Sequence, residues 1–76
     1  MPTKKDNSAA IKKAEKFLAV CENEIRLKNG NKPITDKEAK TLNELQHAIG
    51  SQHSIHIVKY KQAKDTVVEI IRILNL

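Results

Sequence analysis

The sequence predicts an all-α fold: a small three-helix bundle, expected to self-associate. Three observations carry this. Apolar residues between positions 11 and 25 recur at helical spacing. Thr35 and Glu38 stand three residues apart at the head of a periodic segment. Asp65, Glu69 and Arg72 draw a single polar stripe along an otherwise apolar C-terminal segment.

The first helix is expected over residues 8–29, opening at Ser8 and closing on the Asn29-Gly30 C-cap signal. Ile11, Ala14, Leu18, Cys21 and Ile25 share one face, widened by Ala10 and Phe17, while Lys12, Lys16, Glu22, Asn23 and Arg26 lie opposite. Residues 1–7, polar and basic, read as a flexible arm ahead of a single helical domain over 8–76. Asn31-Lys32-Pro33 reads as loop. The second helix, 35–49, opens on Thr35-Asp36-Lys37-Glu38, the spacing of a capping box, and closes at Gly50. Its stripe of Ala39, Leu42, Leu45 and Ile49, with Ala48 beside it, is wide enough for one neighbour only. A third helix is expected over 54–75. Ile55, Ile57, Val58 and Tyr60 carry β propensity, so a strand over 54–60 is the competing reading; a lone strand would have nothing to pair with. Val67, Val68, Ile70, Ile71, Ile73 and Leu74 span roughly 220° of that third helix. This arc is wider than contact with two short helices needs.

Composition agrees. Seventy-six residues make one domain, with 39% apolar and 30% charged residues and only two glycines and two prolines, a helical profile rather than a β-rich or disordered one. The core must be aliphatic, because Phe17 and Tyr60 are the only aromatics. A single cysteine excludes an internal disulfide framework and suits a reducing compartment. No apolar run approaches a membrane span, and Met1-Pro2-Thr3-Lys4-Lys5-Asp6 lacks the apolar stretch of a secretory signal, so the expected location is the cytoplasm.

Net charge is +5, unevenly spread: residues 1–16 hold five lysines against two acids, and residues 51–76 hold three lysines and an arginine against two acids. Such a bias favours anionic partners.

Catalytic patterns are missing. Cys21 lies on an apolar face, where a cysteine behaves as a small hydrophobe. His53 and His56 could share a helical face, but no nearby carboxylate or thiol completes a metal site; solvent-facing or capping roles are expected for them and for His47. Gly30-Asn31-Lys32 lacks the rest of a phosphate loop, and no serine stands in a nucleophile elbow. No enzyme, metal or cofactor is expected.

The leading expectation is therefore a protein-binding regulator, adaptor or inhibitor. It would dock on a larger protein with an acidic or apolar groove, through Val68, Ile70, Ile73 and Leu76 ringed by Lys59, Lys61, Lys64 and Arg72. The alternative is a basic nucleic-acid-binding regulator using Lys12, Lys16, Gln52, His53 and Lys59. Residues 44–55 (Glu44-Leu45-Gln46-His47-Ala48-Ile49-Gly50-Ser51-Gln52-His53-Ser54-Ile55) resemble a degenerate helix-turn-helix, with Gln46 where a small residue is usual and no apolar residue just after the glycine. Arginine, which supplies most guanine contacts, occurs only at 26 and 72. A structural helical oligomer is the third reading.

Overall fold

A computed structural model describes residues 7–51 and 58–76. Among these, the chain forms α1 (Ser8–Arg26), α2 (Asp36–Ala48) and α3 (Tyr60–Leu74). The three-helix bundle expected from the sequence is the fold observed.

The helix ends follow from local chemistry. α2 opens on the expected capping box: the Glu38 N–H donates to Thr35 Oγ1 (3.2 Å) and the Thr35 N–H donates to Glu38 Oε1 (2.9 Å). It closes in a Schellman motif around Gly50 at φ +78°, where the Gly50 N–H donates to the His47 carbonyl and the Ser51 N–H to the Gln46 carbonyl. α1 closes in the same motif earlier than expected. The Lys28 N–H donates to Ile25 and the Asn29 N–H to Glu24, so Lys28, at φ +66°, occupies the left-handed position. Gly30 is instead held beside α3, its carbonyl accepting from the Lys61 N–H (3.0 Å). At the other end of α1 the N-cap is Asn7 rather than Ser8, so of the arm expected over 1–7 the one described residue is fixed. Its side-chain amide donates to the Leu74 carbonyl (3.4 Å) at the end of α3.

The third helix starts later than expected. Residues 52–57, where its first turn was placed, lie outside the described residues, and Lys59 is extended, at φ −80° and ψ 156°. Lys59 forms an antiparallel bridge with Pro33. The Ile34 N–H donates to the Val58 carbonyl (2.9 Å) and the Tyr60 N–H to the Lys32 carbonyl (3.0 Å). Pro33 and Lys59 thus oppose each other at a non-hydrogen-bonded site of the pairing, where the missing proline N–H costs nothing. Of the strand considered over 54–60, residues 54–57 lie outside the described residues; at Lys59 the extended backbone makes a single bridge to the α1–α2 loop before α3 begins at Tyr60.

These contacts set the topology. α1 is antiparallel to α3, since Asn7 meets Leu74 and Gly30 meets Lys61. It is also antiparallel to α2, since Lys13 near its start reaches Glu44 near the end of α2. α2 and α3 therefore run parallel, with the end of α2 and the start of α3 at opposite ends of the bundle.

The core combines Ala14, Phe17 and Cys21 from α1, Leu42 and Leu45 from α2, and Tyr60, Ala63, Val67, Ile70 and Leu74 from α3, with Ile34 from the loop closing one end. α3 packs chiefly on α1, and α1 meets α2 far less. The fully buried small residues Ala14, Cys21 and Ala63 let α1 and α3 approach closely. No buried side-chain nitrogen or oxygen among the described residues lacks a hydrogen-bond partner. The wide apolar arc of α3 is largely absorbed by its own fold: Val67, Ile70 and Leu74 are buried, Ile71 and Ile73 half-buried, and only Val68 is exposed, at 45%.

The two left-handed C-caps make opposite predictions. Lys28→Gly should raise the unfolding free energy by about 0.5–1 kcal/mol by removing the Cβ penalty. Gly50→Ala should lower it by about 1 kcal/mol, although no atom of the described residues lies within 4 Å of the added Cβ. Urea unfolding of the two variants, followed by circular dichroism, checks both signs.

Candidate interaction surfaces

The expected protein-binding residues do not form one patch. Ile70 is 1% exposed and committed to the core, so it cannot anchor a partner on the folded chain. Ile73, five residues beyond Val68, lies roughly 140° round the helix from it, on the opposite flank. Leu76 is 92% exposed past the end of α3, and Lys59 sits exposed at its N-cap. What α3 does bring together is Lys61, Lys64, Val68 and Arg72, spaced by three, four and four residues along one flank, with Ile71 half-buried at its edge. Arg72 is already engaged there: its guanidinium donates to both carboxylate oxygens of Glu69. This flank is a cationic strip with one exposed apolar side chain.

The nucleic-acid set fares differently. Lys12 and Lys16 are exposed on α1, one turn apart. Gln52 and His53 lie outside the described residues. The helix-turn-helix likeness needs two helices joined by a short turn. Residues 52–55 of that likeness lie outside the described residues; the described helices α2 and α3 run parallel, which is not the arrangement of the motif.

A surface missed by the sequence reading lies between α1 and α2. Because these helices meet along little of their length, an open crevice runs between them in two parts. The larger has a volume of about 470 Å³ and is lined by Lys13, Lys16, Phe17 and Val20 from α1 and Lys37, Glu38 and Thr41 from α2. The smaller, about 260 Å³, continues past Lys13 and Glu44 to Ala9, Ala10, Leu45 and Ala48. Lys13, Lys16, Phe17 and Val20 stand at i, i+3, i+4 and i+7, the spacing of one helix face. That signal was present in the sequence. It was hidden because Lys16 groups equally well with the solvent face and Val20 lies off the main apolar stripe.

The crevice is electropositive. Lys16 and Lys37 make no ion pair among the described residues. Lys13 pairs with Glu44 at 2.5 Å across the middle, with both side chains 49% exposed. Lys13 holds the Glu44 carboxyl below its ordinary value, by its hydrogen bond first and its charge second. The remaining carboxylate, Glu38, is held by its own fold: Oε1 accepts from the Thr35 N–H and from the Tyr60 hydroxyl (2.6 Å). Burial by itself would raise the Glu38 pKa. The hydrogen bonds from the Thr35 backbone, the Tyr60 hydroxyl and the Thr35 side chain outweigh it and hold the carboxyl below its ordinary value. The Tyr60 phenol is pushed up, first by donating to Glu38, then by burial and by the Glu38 charge. Burial, then the charges of Glu38 and Glu22, push the Cys21 thiol up to about 11, which keeps it protonated at neutral pH and unreactive as a nucleophile.

Among the described residues, no group of three or more His, Cys, Asp or Glu side chains could hold a metal ion, and no helix is long and apolar enough to cross a membrane. Comparisons with family models, curated proteins and solved structures find no match. The functional reading therefore stands on this chain's own surface.

The Glu38 site sets a pH dependence. A carboxyl whose pKa falls on folding adds stability that is complete above its unfolded value and is lost as pH falls through the folded one. Stability should hold from neutral pH down to the ordinary value of 4.5 and decline below it. Tyr60→Phe removes one of the hydrogen bonds that depress Glu38. It should cost about 1 kcal/mol at neutral pH and flatten the acid decline. Urea midpoints of both proteins measured from neutral pH to about pH 3 check this; an unchanged acid slope in the variant would show that the phenol does not set it.

Proposed function

We propose that this chain is a non-enzymatic protein-binding domain, a small regulator, adaptor or inhibitor that docks a lysine-bordered helical face on an acidic region of a larger protein. The observation that carries this reading is the α1–α2 crevice, in which the exposed Val20, with the buried Phe17 behind it, lies between Lys13, Lys16 and Lys37. An apolar trough provides contact area that excludes water, and the surrounding cations steer and orient an anionic partner. The α3 flank of Lys61, Lys64, Val68 and Arg72 has the same character with less apolar area, and would serve as a secondary contact. The net charge of +5 supports fast encounter with acidic surfaces.

A nucleic-acid-binding reading draws on the exposed pair Lys12 and Lys16, one turn apart on α1, of which Lys16 also borders the crevice. Lysines of this kind hold phosphates without reading bases. Arg72, one of the two arginines, is occupied by Glu69.

The two readings separate on salt. Capture from a native extract treated with nuclease should still recover a protein partner, and Lys16→Glu with Lys37→Glu should abolish recovery. The same chain should leave immobilised duplex DNA at moderate ionic strength. Retention on duplex with a steep salt slope, with nothing recovered after nuclease treatment, would replace protein docking with phosphate binding.

A further inference from the structure

The α1–α2 crevice has a length, a floor and a charge that together specify an occupant. From Ala9 to Val20 the α1 wall runs twelve residues, about 16 Å or three helical turns. The floor is graded. Ala9, Ala10 and Ala48 at one end leave room for close backbone approach, whereas at the other the exposed Val20, backed by the buried Phe17, presents apolar surface to a large side chain. The border is cationic along the larger part.

We infer that the crevice receives an acidic amphipathic helix of a partner protein, three to four turns long, lying along α1 and α2 as a fourth helix of the bundle. This rests on the protein-docking reading and names the partner segment. Apolar residues at i, i+3 or i+4 and i+7 fill the trough, and carboxylates on its shoulders meet Lys13, Lys16 and Lys37. A second copy of this chain suits the site poorly, because two-fold pairing through the crevice would set the same lysines against each other. A phosphate backbone would meet the lysines but leave the apolar floor uncovered.

Lys13 has a further part. Its ion pair with Glu44 crosses from α1 to α2 between the two cavities, Lys13 lining both and Glu44 the smaller. A helix seated along the whole length must part that pair and offer Lys13 a carboxylate in its place. Both side chains are half exposed, so the pair is a weak obstacle. Glu44 therefore acts as a competitor built into the site.

Selection of a phage-displayed library of peptides of about 16 residues on the full chain, followed by titration of the enriched peptides, tests the inference. Acidic amphipathic sequences should be enriched. Their affinity should fall about tenfold or more with Val20→Asp, and equally with Lys16→Glu plus Lys37→Glu. It should rise about threefold with Glu44→Gln and stay unchanged with Val68→Asp. All five positions are exposed, and urea midpoints confirm that each variant folds. Acidic peptides that respond to Lys61→Glu and Val68→Asp instead would move the site to α3 and leave protein docking standing. Enrichment of basic or neutral peptides would overturn the occupant. Self-association of the chain abolished by Val20→Asp would make the occupant a second copy and overturn the proposal. No enriched peptide, together with retention on duplex DNA, would overturn this inference and the docking reading alike.

Discussion

α3 begins where it does because two carbonyls of the α1–α2 loop take its first two N–H groups. The Tyr60 N–H donates to Lys32 and the Lys61 N–H to Gly30, while the Lys59 N–H turns to Gln62 Oε1. A helix N-terminus leaves four such donors without an intrahelical acceptor, and most sequences answer with a Ser, Thr, Asp or Asn cap. Here the N-cap is a lysine, whose side chain accepts nothing. The cap is supplied by a distant piece of backbone, so α3 is secured only when the loop after α1 is in place. The same corner holds Ile34 under the core, and the Tyr60 hydroxyl ties it to Glu38 and thereby to the capping box of α2. Three helix ends are thus joined by one cluster of hydrogen bonds.

That cluster fixes the topology, and the topology opens the surface. With its start pinned beside the start of α2, α3 must run parallel to α2 and antiparallel to α1. It buries its broad apolar arc mainly on α1, whose stripe of small residues accepts a close neighbour. The narrow stripe on α2 is left to cover what remains. α1 and α2 consequently touch along little of their length, and the lysine-bordered crevice is the gap between them. The apolar excess that the sequence places on α3 is real, but it is used internally. Val68 stays exposed on α3, and Val20 is exposed where α1 and α2 fail to close.

Legibility from sequence divides along the same line. Features encoded by spacing within one segment were readable: the stripe from Ile11 to Ile25, the Thr35–Glu38 box, the Gly50 terminus and the helical character after Tyr60. Features that depend on a distant segment were not. Lys28 takes the left-handed position in place of Gly30 because Gly30 is held by Lys61, thirty-one residues away. Ile34 enters the core from a loop, with no periodicity to betray it. The start of α3 cannot be read from Lys59, because its cap lies at positions 30 and 32. The site residues follow suit. Lys61, Lys64, Val68 and Arg72 share a flank as helical spacing requires, whereas Ile70 and Ile73 were separated from them by the direction from which α1 and α2 pack.

Charge decides how far the surface can be read. Each exposed apolar side chain within a helix, Val20 on α1 and Val68 on α3, has lysines one or two turns away. A chain built to associate with itself through those residues would bring like charges together at both places, at a cost that apolar contact of this size does little to offset. A self-associating protein gains by placing opposite charges around its contact. A protein that meets an acidic partner gains from the arrangement found here. Lys13 is the instructive case, since it is the one crevice lysine that already holds a carboxylate. Glu44 satisfies it at the point where a bound helix would cross, and at half exposure that contact is easily exchanged. On the proposed reading, Glu44 is a stand-in for the acidic side chain that a bound helix would bring.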